Sequence, residues 1–176
     1  WVGTDDGNLQ VSRDGGGTWT ERSGNVPGVR DGTYVSRIVA SRSGSAVAYV
    51  AFDAHRDGDF EPYVYRTTNF GESWTSLTAG LPSGSVNSLA EHPDNPNVLF
   101  VGTEHGLFVS TTAGTDWAKL SHLPTTHIDD LVLHPREKDL VIGTHGQSIW
   151  IFDDTTPLAE WTADVASASV HVFSIQ

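Results

Sequence analysis

The residues best equipped for chemistry in this chain are carboxylates and imidazoles set in short, polar, glycine-bearing segments. They are Asp5 and Asp6, the run Asp53-x-x-x-Asp57-x-Asp59-x-Glu61, and Glu104 beside His105, with His55 and His145 in similar settings. Two carboxylates about 5 Å apart hydrolyse a glycosidic bond with retention, and about 6.5–9.5 Å apart with inversion. The pairs suited to that task are Asp53 or Asp59 set against Asp5 or Glu104. The acidic run also offers hard oxygen ligands, Asp53, Asp57, Asp59 and Glu61, of the kind Ca²⁺ takes, although its spacing is not that of an EF-hand loop. The plain alternative is that all these acids are solvated turn residues. Histidine permits metal or acid–base work, but His105 and His145 occupy matching turns and His92 and His134 each precede a proline, so repetition of turns accounts for both pairs. No nucleophile elbow, phosphate loop or Cys-His arrangement occurs.

What positions these groups is a repeat. Ser12-x-Asp14-x-Gly16-x-x-Trp19 recurs as Thr67-x-Asn69-x-Gly71-x-x-Trp74 and as Ser110-x-Thr112-x-Gly114-x-x-Trp117. The short polar side chain at the third position can accept from backbone N–H groups two residues on and close a tight turn. The glycine supplies a positive φ, and the tryptophan carries a large ring to bury at the start of the next strand. A second element, Val2-Gly3-Thr4, returns as Val101-Gly102-Thr103 and as Ile142-Gly143-Thr144. The box tryptophans are separated by about 55 and then 43 residues. Four short strands at a period of ~40–50 residues are the signature of a β-propeller blade.

The three turns resemble Asp-boxes, also called BNR repeats, and the Val-Gly-Thr-x-x-Gly-Leu-x-x-Ser context is similar to large secreted bacterial proteins known as sortilin-like or BNR-repeat "glycosyl hydrolase" proteins. The resemblance runs from Trp1 to about Asp154. It implies a propeller fold, an extracytoplasmic location, and ligand binding on the face away from the boxes, whose own residues are then structural. It does not select an activity, because such propellers include both hydrolases and receptors. Sialidase chemistry fits less well: Arg37 is the only arginine well inside a first strand, where that chemistry needs three.

The chain has 176 residues and a formal net charge of −12. Such an acidic surface argues against nucleic acid and against anionic membrane surfaces, and no apolar run reaches the length of a membrane span. Cysteine is absent, which removes disulfide and thiolate chemistry, and methionine is absent too. Beginning inside a repeat and short for a closed ring, the chain reads as a piece of a longer one.

The expectation is therefore all-β: a partial propeller of four-stranded antiparallel blades. Residues 1–23 end one blade, 34–79 and 86–121 are blades, 127–154 is an incomplete blade, and 155–176 is a closing strand or linker, with a short helix within 158–168 and a strand over 169–175. Apart from that, no helix is expected. Trp19, Trp74 and Trp117 should be inter-blade core, and Trp150 packed. Loops joining second to third strands share one face with loops joining blades; that face carries Tyr34, Phe60, Tyr63, His105 and His145 as candidate contacts for a protein, peptide or glycan. The open ends should expose apolar surface that the rest of the parent propeller, or a second copy, would cover.

Overall fold

In the computed structural model, which describes residues 1–174, short strands form four antiparallel sheets laid side by side in chain order. The first sheet holds β1 (Val2–Gly3), β2 (Leu9–Val11) and β3 (Thr20–Glu21). The second holds β4 (Tyr34–Ala40), β5 (Ala48–Asp53), β6 (Tyr63–Thr67) and β7 (Thr75–Ser76). The third holds β8 (Val86–Glu91), β9 (Leu99–Thr103), β10 (Gly106–Ser110) and β11 (Ala118–Lys119). The fourth is β12 (Ile128–Leu133), β13 (Leu140–Thr144) and β14 (Ile149–Phe152).

The second and third sheets are each sandwiched between two neighbours, and this explains the unbroken apolar runs of their second strands. All of β5 is buried. Its residues alternate in direction: Ala48, Val50 and Phe52 join Leu9 and Trp74 in the core between the first two sheets, while Tyr49 and Ala51 face Val86 and Leu99 of the third. On β9 the same division sends Leu99 and Val101 one way and Phe100 the other, onto Ile128 and Ile142.

The recurring glycine of the Val-Gly-Thr element has a packing cause. A Cβ on Gly102 would lie 2.6–2.7 Å from the side chain of Ile128 in the next sheet, and also against Ser88 Oγ. Gly3 stands in the same relation to Val35. Gly143, whose sheet has no successor, meets nothing nearer than Asp130 at 3.7 Å. The first strand of one sheet thus presses on the second strand of its predecessor with only a backbone's width between them.

The three glycine turns share one hydrogen-bond pattern. The first hydroxyl accepts from the glycine N–H four residues on: Ser12 from Gly16 at 2.7 Å, Thr67 from Gly71 at 2.9 Å, Ser110 from Gly114 at 2.8 Å. The third residue also accepts from the N–H four residues on, rather than two: Asp14 from Thr18 at 2.8 Å, Asn69 from Ser73 at 3.0 Å, Thr112 from Asp116 at 3.1 Å. That N–H bond, with the Thr18 and Ser12 hydroxyls, holds the Asp14 carboxyl down to about 2. Gly16, Gly71 and Gly114 all have positive φ, and so do the residues before them, Gly15, Phe70 and Ala113.

Four expectations need correction. Trp19 is 46 % exposed where Trp74 is 7 %. Trp74 leans edge-on against Trp1 of the preceding sheet, and Trp117 donates its indole N–H to Leu77 O at 2.7 Å, whereas Trp19 has no preceding sheet to meet. Trp150 is not packed but 40 % exposed, on the edge strand of the last sheet, its indole N–H satisfied by Gln147 O at 2.8 Å. Residues 169–174 form no strand, and the remainder of that expected element lies outside the described residues. The helix expected after residue 157 is two short ones, α1 (Thr156–Ala159) and α2 (Ala163–Ser167), and 3₁₀ turns occur at Ser23–Asn25 and His55–Asp57.

The glycine geometry gives a contrast. Gly102→Ala forces a methyl into Ile128 and Ser88 and should cost about 3 kcal/mol; Gly143→Ala should be close to neutral. Denaturant unfolding of both variants checks this.

Candidate functional site

The loop between β5 and β6 meets the connection from β7 to β8. Gly84 N–H and the Ser83 hydroxyl both donate to Phe60 O, at 2.6 and 2.9 Å. The turn between β13 and β14 likewise meets the start of β12, with His145 N–H donating to His127 O at 2.9 Å. These segments, with the β1–β2 turn, form one face.

On this face Asp53, Asp57, Asp59 and Asp6 have settled neighbours. Asp53 is buried and accepts from the Ser85 hydroxyl at 2.6 Å, from His55 N–H at 2.9 Å, and faces the His55 ring. Burial, the largest single influence, pushes its carboxyl up, but the bonds from Ser85 and His55 outweigh it and hold the group below its usual range. Asp59 accepts from Glu61 N–H at 3.0 Å and from the Tyr63 hydroxyl at 2.7 Å; these lower it, and the same contact raises the Tyr63 phenol to about 12. Asp57 pairs with Arg30. Asp53, Asp57 and Asp59 therefore spend their carboxylates on separate partners. Glu61 and Asp5 are exposed, and Glu104 is half-buried, its Cβ 3.8 Å from the place a Cβ on Gly84 would take. Asp6 is held low by the Thr4 hydroxyl and the Asn8 amide.

The aromatic candidates differ in access. Phe60 is 51 % exposed, its backbone latched to Ser83 and Gly84. Tyr34 is half-buried with the Arg56 guanidinium 5.3 Å above its ring. The His105 ring is exposed beside Gly84.

The residues that sequence reasoning missed lie on the first strands. Each of β4, β8 and β12 carries a β-bulge at one equivalent place, between Val35 and Arg37, Val86 and Ser88, and Ile128 and Asp130. A bulge re-aims the extra side chain, here Ser36, Asn87 and Asp129. Ser36 donates to Val86 O at 2.7 Å in the next sheet, Asn87 meets His127 Nε2, and Asp129 Oδ2 stands 3.4 Å from His145 Nδ1. Just beyond the bulges, Arg37 reaches past the third sheet to pair with Asp130 on β12. His127 and Asp129, two apart at the start of a strand, were a visible signal; the bulges were not.

Four antiparallel sheets stacked about converging first strands, the first three each turned by a glycine corner, define part of a β-propeller. No family model and no curated protein sequence matches the chain. Among solved structures it is similar to the GH74 xyloglucanase from Xanthomonas campestris, with TM-score 0.66 and 18 % identity over 92 % of this chain and 26 % of that one. It is similar to YCF48, solved bound to a D1 peptide, with TM-score 0.63 and 17 % identity over 88 % and 47 %. The extracellular domain of BT4673 from B. thetaiotaomicron follows at 0.62 and 18 %, over 85 % and 19 %. The chain spans less than half the length of each. No described helix is long and apolar enough to cross a membrane.

Asp53→Ala should cost about 2 kcal/mol at neutral pH by breaking a buried charged hydrogen-bond hub. Because the folded carboxyl titrates below its unfolded value, that contribution is present above pH ~4 and lost as pH falls through the folded pKa. Wild type and variant should therefore converge in stability in acid, as thermal melts across pH would read.

Proposed function

We propose that this chain is a non-enzymatic binding or scaffold portion of a secreted bacterial propeller protein, engaging a protein, peptide or glycan through the loop face. One observation carries this reading. The loop-face acids whose titration is displaced, Asp6, Asp53 and Asp59, are all held low by hydrogen bonds to neighbours, whereas a glycosidase needs one acid raised to donate a proton. Phe60, exposed on a backbone anchored to Ser83 and Gly84, is the surface such a ligand would stack on. The three glycine turns fit the Asp-boxes of sortilin-like proteins, which supports an extracytoplasmic location. The apolar groups left open at the two ends, Trp19 at one and Ile149 and Ile151 at the other, are suited to the rest of a parent ring or to a second copy.

The second reading, part of a glycoside hydrolase, draws on the similarity to GH74 enzymes, with Asp5, Asp53, Asp59 and Glu104 as its acids. Calcium in the loop with Asp53, Asp57, Asp59 and Glu61 would require Asp53, Asp57 and Asp59 to leave their present partners. Peptide and oligosaccharide arrays probed with the purified chain decide between the two. Retention without product, weakened about tenfold by Phe60→Ala, supports binding. Sugar release from xyloglucan that disappears in Asp59→Asn or Glu104→Gln overturns it.

A further inference from the structure

We propose that His127, Asp129 and His145 form a binding site for a divalent transition metal, with zinc as the natural choice, at the inner edge of the loop face. Their ligand atoms all lie within 4.8 Å of one another. His127 Nε2 is 3.7 Å from Asp129 Oδ1, and His145 Nδ1 is 3.4 Å from Asp129 Oδ2. A tetrahedral zinc with bonds of ~2.0–2.1 Å separates its ligand atoms by ~3.4 Å, so small side-chain rotations close the set around one ion.

The backbone builds this arrangement. Ile128 is fully buried between the two first-strand ligands, which turns His127 and Asp129 away from the core. The bulge at Asp129 swings its carboxylate across the strand. His145 is brought in by its N–H bond to His127 O, and the two imidazoles stack 6.0 Å apart at 27°. The repeat provides an internal comparison. Where the fourth sheet has His127 and Asp129, the second has Tyr34 and Ser36 and the third Ser85 and Asn87. Turn repetition therefore explains His145 but not the two residues it meets.

The donor set fixes the kind of metal. Two imidazoles and one carboxylate suit zinc, cobalt, nickel or copper, whereas calcium and magnesium take oxygen ligands. Asp130 is already paired with Arg37, leaving Asp129 as the available carboxylate. Asn87 meets the very nitrogen the metal needs, so binding must displace its side chain from His127. Asp129 and His145 are exposed, with side-chain exposures of 48 % and 78 %. The fourth coordination position thus opens to solvent, where water or a donor from a bound partner can take it.

The test is calorimetric titration of the untagged chain with Zn²⁺, together with Co²⁺ absorption spectra. The expected result is one equivalent bound, intense tetrahedral Co²⁺ bands, and binding at least tenfold weaker in each of His127→Ala, His145→Ala and Asp129→Asn. His105→Ala and His134→Ala should leave it unchanged, Ca²⁺ in large excess should not compete, and Asn87→Ala should bind at least as tightly. Asp129 and His145 are solvent-facing, so Asp129→Asn and His145→Ala should melt with wild type in the absence of metal and lose only the metal-induced rise in Tm. Failure to saturate at one equivalent, or unchanged affinity in the His127→Ala/His145→Ala double variant, overturns the proposal.

Discussion

The structure depends on the contact between the first strand of each sheet and the second strand of the sheet before it. At Gly102 there is no room for a single additional carbon between that strand and Ile128. Close approach here brings the inner strands together, while the four-stranded sheets splay outward. The apolar payload follows from the same contact. A second strand lying between two others must be apolar on both faces, as β5 and β9 are, because each face is another sheet's core.

Legibility in the sequence tracks how local each feature is. The glycine corners were readable because Ser12, Asp14, Gly16 and their counterparts bond within their own turns, and a turn declares its residues. Their reach was underestimated: the third residue bonds four positions on, since the preceding residue also takes a positive φ, even where it is Phe70 or Ala113. Tryptophan burial was less readable. Trp74 and Trp117 are covered by the sheet preceding their own, so Trp19, with none, stays open. Trp150 follows the same logic at the other end. Residues 169–174 have strand-forming side chains, but no neighbouring edge pairs with them, and propensity without a partner makes no strand.

Of the loop-face acids, Asp6, Asp53, Asp57 and Asp59 are engaged by neighbours, while Asp5 and Glu61 are exposed. Asp53 is a structural hub joining its own loop to Ser85 of the next sheet, a role that its place at the end of an apolar strand does not reveal. Asp129 is an exposed residue of β12. Its significance depends on a one-residue bulge that leaves no mark in composition or periodicity, and on His145, brought beside it by a backbone bond.

The pairing of Arg37 with Asp130 shows how far the inner strands converge. These residues belong to sheets separated by a whole intervening sheet, and stacked sheets lie about 10 Å apart face to face. A side-chain contact across that interval requires the first strands to draw together. The exposed pair itself contributes little to stability; its value is as a reporter of shape. The same convergence gathers Ser36, Asn87 and Asp129, which the sequence keeps far apart, along the inner edge of three sheets. The glycines and apolar strands must repeat because each sheet meets the next in the same way. The bulged side chains Ser36, Asn87 and Asp129 stand outside the apolar clusters and meet polar neighbours, so they are free to differ, and blade-specific chemistry on this frame belongs there.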